Sequence, residues 1–260
     1  MSEKQWTRYE RRGEAGWIRL TSPETRNALS APLVKQLTGH LRAAFDEEDV
    51  RVVVLTGEGT AFCAGADLKN RGDMGDAEPR GGNPFVDLLR LMRDGPKPVI
   101  CAVNGAAFGG GLGLVAAGDI SIAAQGAKMS FSEVRLGVIP AMISVVVIPK
   151  LGEHLAMRLF LNGERFTAER ALHYGLVHEV VPADQLEQAV DAEVQAICRG
   201  GPIAIQEAKQ LVRKVARLPE AEAFAYAEER IGKLFASQEA AEGMAAFAKK
   251  RPPSWVQDAS

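Results

Sequence analysis

The chain has 260 residues, 47% hydrophobic and 25% charged, with a formal net charge of −2. This is the balance of a soluble globular protein; it supplies no basic surface for nucleic acid, and no apolar run approaches the roughly 20 residues that cross a bilayer. The three cysteines, Cys63, Cys101 and Cys198, are odd in number and form no C-x-x-C pair, and the start Met1-Ser2-Glu3-Lys4-Gln5 lacks the apolar segment of a secretory signal, so neither a disulfide framework nor a zinc site is expected and a cytoplasmic location is.

The N-terminal segments Trp6–Arg12 and Ala15–Leu20 read as a strand pair around Gly13-Glu14. Ser30 is a helix cap with Pro32 in the first turn, and Leu33, Leu37, Leu41 and Phe45 mark one buried face at four-residue spacing. Val52–Gly57 is a β-branched strand that runs into a small-residue loop, Glu58 to Lys69. Residues 71–84 are rich in Gly, Asp and Pro and read as a loop, placed either as a lid or as plain surface. Pro98–Val103 is a second buried strand, followed by glycines and a short apolar helix through Ala117. Strand, helix and strand alternate to about Gly137, which argues for an α/β class. From Pro149 onward helices dominate, with Leu186, Ala189, Val190, Val194 and Ile197 on one face, a break at Gly200-Gly201-Pro202, and a small-residue stripe of Ala241, Met244, Ala245 and Ala248.

Two loops carry the chemistry. After Val103 comes Asn104-Gly105-Ala106-Ala107-Phe108-Gly109-Gly110-Gly111-Leu112-Gly113-Leu114. Glycines let backbone N–H groups turn toward a ligand, and the N–H groups at a helix start lack intrahelical partners. No Gly-Lys-Ser/Thr follows, and the sixth position of a G-x-G-x-x-G read from Gly109 or Gly111 is Leu114 or Ala116, so neither phosphate-binding fingerprint is present. The same glycines would also serve close packing of helix on strand. The loop Ala61-Phe62-Cys63-Ala64-Gly65-Ala66-Asp67-Leu68-Lys69 likewise follows a buried strand. Together the two loops could each give one N–H to the same oxygen, an oxyanion-hole arrangement.

At these motifs the chain resembles the crotonase family, the enoyl-CoA hydratase/isomerase superfamily. The likeness begins at Ser22-Pro23-Glu24-Thr25-Arg26-Asn27-Ala28-Leu29-Ser30 and continues through Phe62–Lys69, Asn104–Asp119 and Phe131-Ser132-Glu133-Val134-Arg135-Leu136-Gly137-Val138-Ile139-Pro140. It ends near Glu242–Phe247 and Lys249-Lys250-Arg251. The resemblance implies an α/β spiral of repeated ββα units over residues 1–198, which holds the active site. It also implies a C-terminal helical region, 199–260, that builds a homotrimer or a hexamer of paired trimers. The implied substrate is an acyl-CoA thioester, with coenzyme A arriving as part of the substrate and no separate cofactor, metal, nucleic acid or membrane partner.

By the same resemblance, Ala66 and Gly110 give the N–H groups that hold the enolate oxygen, and Glu133 moves the proton. Arg26, Ala28, Leu29, Ala64, Asp67 and Leu68 line the CoA arm; Lys69, Phe247 and Lys250 meet its phosphates or adenine, the last two from a neighbouring subunit. Pro140 and Met142 border the acyl group, and Phe108 and Gly109 also belong to the substrate-binding residues. Hydratases of the family flank the double bond with two glutamates, and the first of these positions is Gly113 here. One reading is hydration by Glu133 alone, helped or not by a carboxylate from residues 71–87; Gly-Leu-Gly-Leu with Ser132-Glu133-Val134 also resembles hydratases of branched or carboxylated enoyl-CoA, of methylglutaconyl-CoA type. The alternatives are a Δ3-Δ2 isomerase, for which one glutamate suffices, and an acyl-CoA-binding member without catalysis. A second departure is Pro140-Ala141-Met142-Ile143-Ser144, where relatives look like Pro-Gly-Ala-Gly-Gly; Met142 and Ile143 suggest an apolar wall.

Other enzyme classes find little support. No G-x-S-x-G occurs, and His40, His154, His173 and His178 lie far in sequence from both loops. No H-E-x-x-H or cysteine partner makes a metal site of the last three.

Overall fold

Val52, Val53, Val54 and Leu55 are all fully buried, which a strand achieves only when both faces of its sheet are covered. The computed structural model, which describes residues 4–68 and 82–256, shows how this comes about. β1 (Thr7–Arg12) and β2 (Ala15–Leu20) form an antiparallel hairpin. β3 (Val52–Gly57) joins β2 in parallel, and the chain then crosses to β4 (Ala61–Cys63) in a second sheet. β5 (Val99–Val103) returns to the first sheet and β6 (Ala106–Phe108) to the second; β7 (Ile120–Ala124) and β8 (Lys128–Ser130) repeat the step. β9 (Phe166–Thr167) closes the smaller sheet and β10 (Glu179–Val181) the larger one. The strand orders are β1-β2-β3-β5-β7-β10 and β4-β6-β8-β9. The pairs β3/β4, β5/β6 and β7/β8 each put the first strand in the larger sheet and the second in the smaller, and the successive pairs wind as a spiral.

The helices are α1 (Ala31–Asp46), α2 (Pro84–Asp94), α3 (Gly110–Ala117), α4 (Ala141–Asn162), α5 (Ala168–His173), α6 (Leu186–Cys198), α7 (Pro202–Val215), α8 (Glu220–Phe235) and α9 (Gln238–Ala248). Ser30 caps α1 as expected, its Oγ accepting from Leu33 N–H, but the fourth buried turn of that face is held by Ala44 while Phe45 is half-buried. The odd and even residues of β3 divide two cores. Val53 and Leu55 pack with α1–α4; Val52 and Val54 pack with Trp17, Ile100, Ile122 and the Leu186, Val190, Val194 face of α6.

Helices dominate after Pro149 as expected, with two refinements. α4 starts at Ala141, eight residues before Pro149, because Pro149 lies inside a helix that is broken at Gly152, with φ +72°. The region after Pro149 also contains β9 and β10, whose two and three residues are too short to show a period.

The C-terminal helices are tied to the core by buried cations. Lys209 of α7 donates to the carbonyls of Met92 and Lys97 and pairs with Asp119 at 2.8 Å; Arg213 reaches the other oxygen of Asp119 at 2.6 Å. Arg51, only 10% exposed, pairs with Glu14 at 3.2 Å and donates to the carbonyls of Cys198 (2.7 Å), Trp255 (3.4 Å) and Gly200. α8 and α9 leave Phe224, Phe235, Met244 and Phe247 exposed in the single chain, as is most of the Ala241, Met244, Ala245, Ala248 stripe. Among the described residues, no helix is long and apolar enough to cross a membrane.

Candidate active site

The oxyanion loops meet because β4 and β6 are neighbours in the smaller sheet, with Ala61 opposite Ala106 and Cys63 opposite Ala107. Gly65, at φ +86°, follows β4 and lies against the end of β6: a β-carbon there would sit 2.6 Å from the Phe108 carbonyl oxygen and 3.3 Å from Gly110 N. Only glycine permits both the conformation and the approach. Ala66 comes next in the chain, and Gly110 opens α3, the helix whose end points at the same place. Among the described residues, no hydrogen bond takes the N–H of Ala66 or of Gly110. Two unspent backbone donors on touching loops, one at a helix N-terminus, suit an oxygen that gains negative charge.

The loop 22–30 is fastened to the first of these segments. Leu29 N–H donates to Gly65 O at 2.8 Å, Ala64 N–H donates to Arg26 O at 2.9 Å, and Leu29 bridges Ala66 in parallel. Arg26, Ala28, Leu29, Ala64, Ala66, Asp67 and Leu68 are thereby brought together. Ala28 and Asp67 are buried at 9% exposure, whereas Leu68 is half exposed. Lys69 lies outside the described residues, as do residues 71–81 of the expected loop; Pro84 is not loop but the first residue of α2, capped by Asn83. Asp87, weighed as an assisting carboxylate, faces Arg90 on its own helix and is exposed.

The residue that makes this junction, Asn27, was not singled out by sequence reasoning. It is fully buried at φ +56°; its Oδ1 accepts from Ser22 N–H, and its Nδ2 donates to the carbonyls of Glu58 and Ala61. An Asn a few residues after Ser22-Pro23 was the available signal, since Asn tolerates the left-handed region.

Glu133 stands on a 3₁₀ turn, Glu133–Leu136, directly after Phe131 and Ser132 at the end of β8. Gly109 N–H donates to Ser130 O, which holds this turn beside the glycine loop. A β-carbon on Gly109, at φ +48°, would lie 2.8 Å from Glu133 Oε1, so the carboxylate packs over the residue preceding the Gly110 donor. Oε2 is buried with no hydrogen-bond partner among the described residues. Burial raises the carboxyl above the ordinary carboxylate range, opposed in part by a hydrogen bond from its own backbone. A carboxyl raised in this way holds its proton more tightly than an exposed glutamate does, which suits acid/base work. Cys63, beside the same loops, is no rival: burial pushes its thiol up to about 12.

Gly113 faces hydrocarbon. A β-carbon there would run into Ile143 Cγ2 and lie 3.1 Å from Ile143 Cβ and 3.6 Å from Phe85 Cζ. Phe85, another residue the sequence did not disclose, also lies 3.4 Å from a β-carbon on Gly110. Of the expected apolar pair, Ile143 is the buried wall at 3% exposure and Met142 is 40% exposed; Pro140 is buried before α4. The Phe108 ring lies 5.7 Å from the Arg165 guanidinium, and Phe108 lines a cavity of about 420 Å³ with Arg26, Asn104 and Lys128. Phe247, at 86% exposure, and Lys250 stand open at the end of α9.

Residues 10–258 match the model of the enoyl-CoA hydratase/isomerase family. The chain belongs to this family. It is 36% identical to enoyl-CoA hydratase EchA19 of Mycobacterium tuberculosis over 95% of this chain and 94% of that one. It is 35% identical to carnitinyl-CoA dehydratase of Salmonella typhi over 81% and 83% of the two chains. A crystal structure of enoyl-CoA hydratase from Bacillus anthracis superposes with a TM-score of 0.91 at 31% identity, covering 97% of this chain and all of that one. The two-sheet spiral described above is thus the crotonase fold, and the family implies an acyl-CoA thioester substrate.

Proposed function

We propose that the chain is an enoyl-CoA hydratase that adds water across the double bond of a 2-enoyl-CoA with Glu133 as the acid/base group. The observation that carries this reading is the buried carboxylate beside the donor loop, one of whose oxygens has no partner. The thioester carbonyl accepts from Ala66 N–H and Gly110 N–H. Water, held by Glu133, loses a proton to the carboxylate as its oxygen bonds to C3. The C2=C3 electron pair moves toward the carbonyl, where the two N–H groups stabilise the enolate more than they stabilise the substrate. The enolate collapses, C2 takes the proton from Glu133, and one water has been added in balance. With hydrocarbon at Gly113, one carboxylate performs both proton transfers.

Arg26, Ala28, Leu29, Ala64, Asp67 and Leu68 would bind the pantetheine and nucleotide arm. Phe247 and Lys250 would reach it from a second chain in a trimer or hexamer built through residues 199–260; the exposed aromatics of α8 and α9 support that reading. A cytoplasmic setting suits its three free thiols. The same single carboxylate would also serve a Δ3-Δ2 isomerase, and Gly113 is the observation in favour of that second reading.

The deciding experiment incubates the protein with straight, branched and carboxylated 2-enoyl-CoA thioesters and follows mass. Gain of one water, abolished by Glu133→Gln, is the expected result. Turnover of 3-enoyl-CoA alone would establish the isomerase, and no turnover of either would refute catalysis and leave an acyl-CoA binder.

A further inference from the structure

Glu133 is carried by a segment that does little to hold itself. Its 3₁₀ turn is four residues long, none of them fully buried, with no side-chain cap at Ser132, and Arg135 to Ile139 are exposed. Hydrogen bonds in a 3₁₀ turn have poorer geometry than those of an α-helix, so a turn of this kind frays unless something outside it is fixed to it. One oxygen of the carboxylate it carries is nevertheless buried without a partner. That placement costs free energy and would relax toward water if the turn were free to move.

The outside support is the C-terminal end of α4. A straight helix of its 22 residues would span about 33 Å, yet α4 begins a few residues after this turn and also ends against it. The break at Gly152 makes this possible: its second half doubles back, and Phe160 meets Phe131 edge-on with ring centroids 5.0 Å apart. The last carbonyls of a helix lack intrahelical partners. Here the Gly163 carbonyl accepts from Ser130 Oγ at 3.0 Å, and the Asn162 carbonyl accepts from Arg135 Nη2 at 3.2 Å, a cation at the negative end of the helix. Gly163 permits the approach, since a β-carbon there would lie 3.2 Å from Arg135 Nε and 3.3 Å from Phe131 O. Ser130 stands three residues before Glu133 and Arg135 two after it, so the segment is fastened on both sides to one place. Ser130 is 1% exposed, and its own carbonyl accepts from Gly109 N–H, which joins the same point to the glycine loop.

We propose that Ser130 and Arg135 are positioning residues that hold the Glu133 carboxylate over the glycine loop by anchoring its turn to the last carbonyls of α4. They place Glu133 and move no proton themselves. The effect on rate rests on the reading of Glu133 as the acid/base group; the effect on where the carboxylate lies does not.

The test reads the carboxyl itself as well as turnover. Burial raises Glu133, and no charged neighbour contributes to that shift, so Glu133→Gln should be more stable than its parent above the ordinary carboxylate range. Thermal melting of the full chain across pH measures this gain. In a Ser130→Ala or Arg135→Ala background the gain should fall by about half or more, because a loosened turn lets water reach the carboxyl. Since the Arg135 charge is not a cause of the shift, such a fall reports movement of the turn. Arg135→Lys, which can still donate to the Asn162 carbonyl, should keep most of the gain. In the hydration assay each alanine variant should lose about tenfold in kcat with KM within about twofold, the pattern of a misplaced group. An undiminished gain in either alanine variant overturns the proposal for that residue. A loss of stability equal at every pH, with kcat intact, is what a merely structural role would give and also overturns it. If Ser130→Ala melts before assay, the exposed Arg135 decides. Absence of hydration by the unsubstituted protein would sink the hydratase reading, and the melting comparison, which needs no turnover, would still decide this one.

Discussion

Adding a single methyl at residue 113 should disturb the site through Ile143, and the size of the effect can be worked out. Gly113 lies in the first turns of α3, where alanine is intrinsically better than glycine by about 1 kcal/mol. Against this stands a collision with Ile143 Cγ2 in a buried helix position whose β-branch has one preferred rotamer. Rotation brings little relief, because Ile143 Cβ itself is 3.1 Å from the added carbon. Overpacking of this kind costs about 1–3 kcal/mol, so Gly113→Ala should be destabilised by about 0–2 kcal/mol. In an Ile143→Ala background Cγ2 is gone, and the same methyl should be neutral or stabilising by up to about 1 kcal/mol. The two substitutions therefore couple by about 1–3 kcal/mol, far outside the error of additivity for independent sites. Chemical denaturation of the four proteins of this cycle, at one fixed protein concentration, measures the coupling. Additivity within about 0.5 kcal/mol would show that Ile143 does not occupy the space in front of Gly113, and the apolar wall would fall with it.

Two further outcomes are expected at Glu133. Its carboxyl is raised by burial, so the folded state holds the proton more tightly than the unfolded chain; its contribution to stability is complete below the unfolded pKa and is lost as pH rises through the folded one. Glu133→Gln should accordingly gain stability relative to the unsubstituted protein across that rise and show little gain below it, and a pH-independent difference in melting would contradict this. Gly109→Ala forces a β-carbon into an unfavourable backbone region, at a cost of about 1–3 kcal/mol, and toward Glu133 Oε1; kcat should fall at least tenfold with KM little changed, and a kcat within twofold would show that the carboxylate does not need that contact.

The sequence disclosed what has a period or a motif. Val52–Gly57 appeared as a buried strand because four consecutive apolar residues suit a sheet covered on both sides, and Ser30 announced α1 through its own capping chemistry. The glycine loops and Glu133 were legible through the family motifs that contain them. The second sheet was not: β4, β6 and β8 have three residues each, too few to alternate visibly, and they exist because each is paired in space. Asn27 and Phe85 escaped for a related reason. One acts through three backbone groups, two of them more than 30 positions away, and the other through its tip against two glycines of α3. Gly113 could be read as a missing glutamate, but not as a site already filled, since Ile143 lies 30 residues on and meets it only after α3 and α4 pack.

Arg51 joins the start of β3 to the far end of the chain. Its guanidinium is nearly enclosed, yet apart from Glu14 the acceptors recorded for it are carbonyls of residues 198, 200 and 255. The residues that shut Arg51 away from water thus bring the carbonyls that satisfy it. A cation enclosed without partners is expensive; here enclosure and pairing come from the same segment, so the loop between α1 and β3 and the far end of the chain are held as one unit.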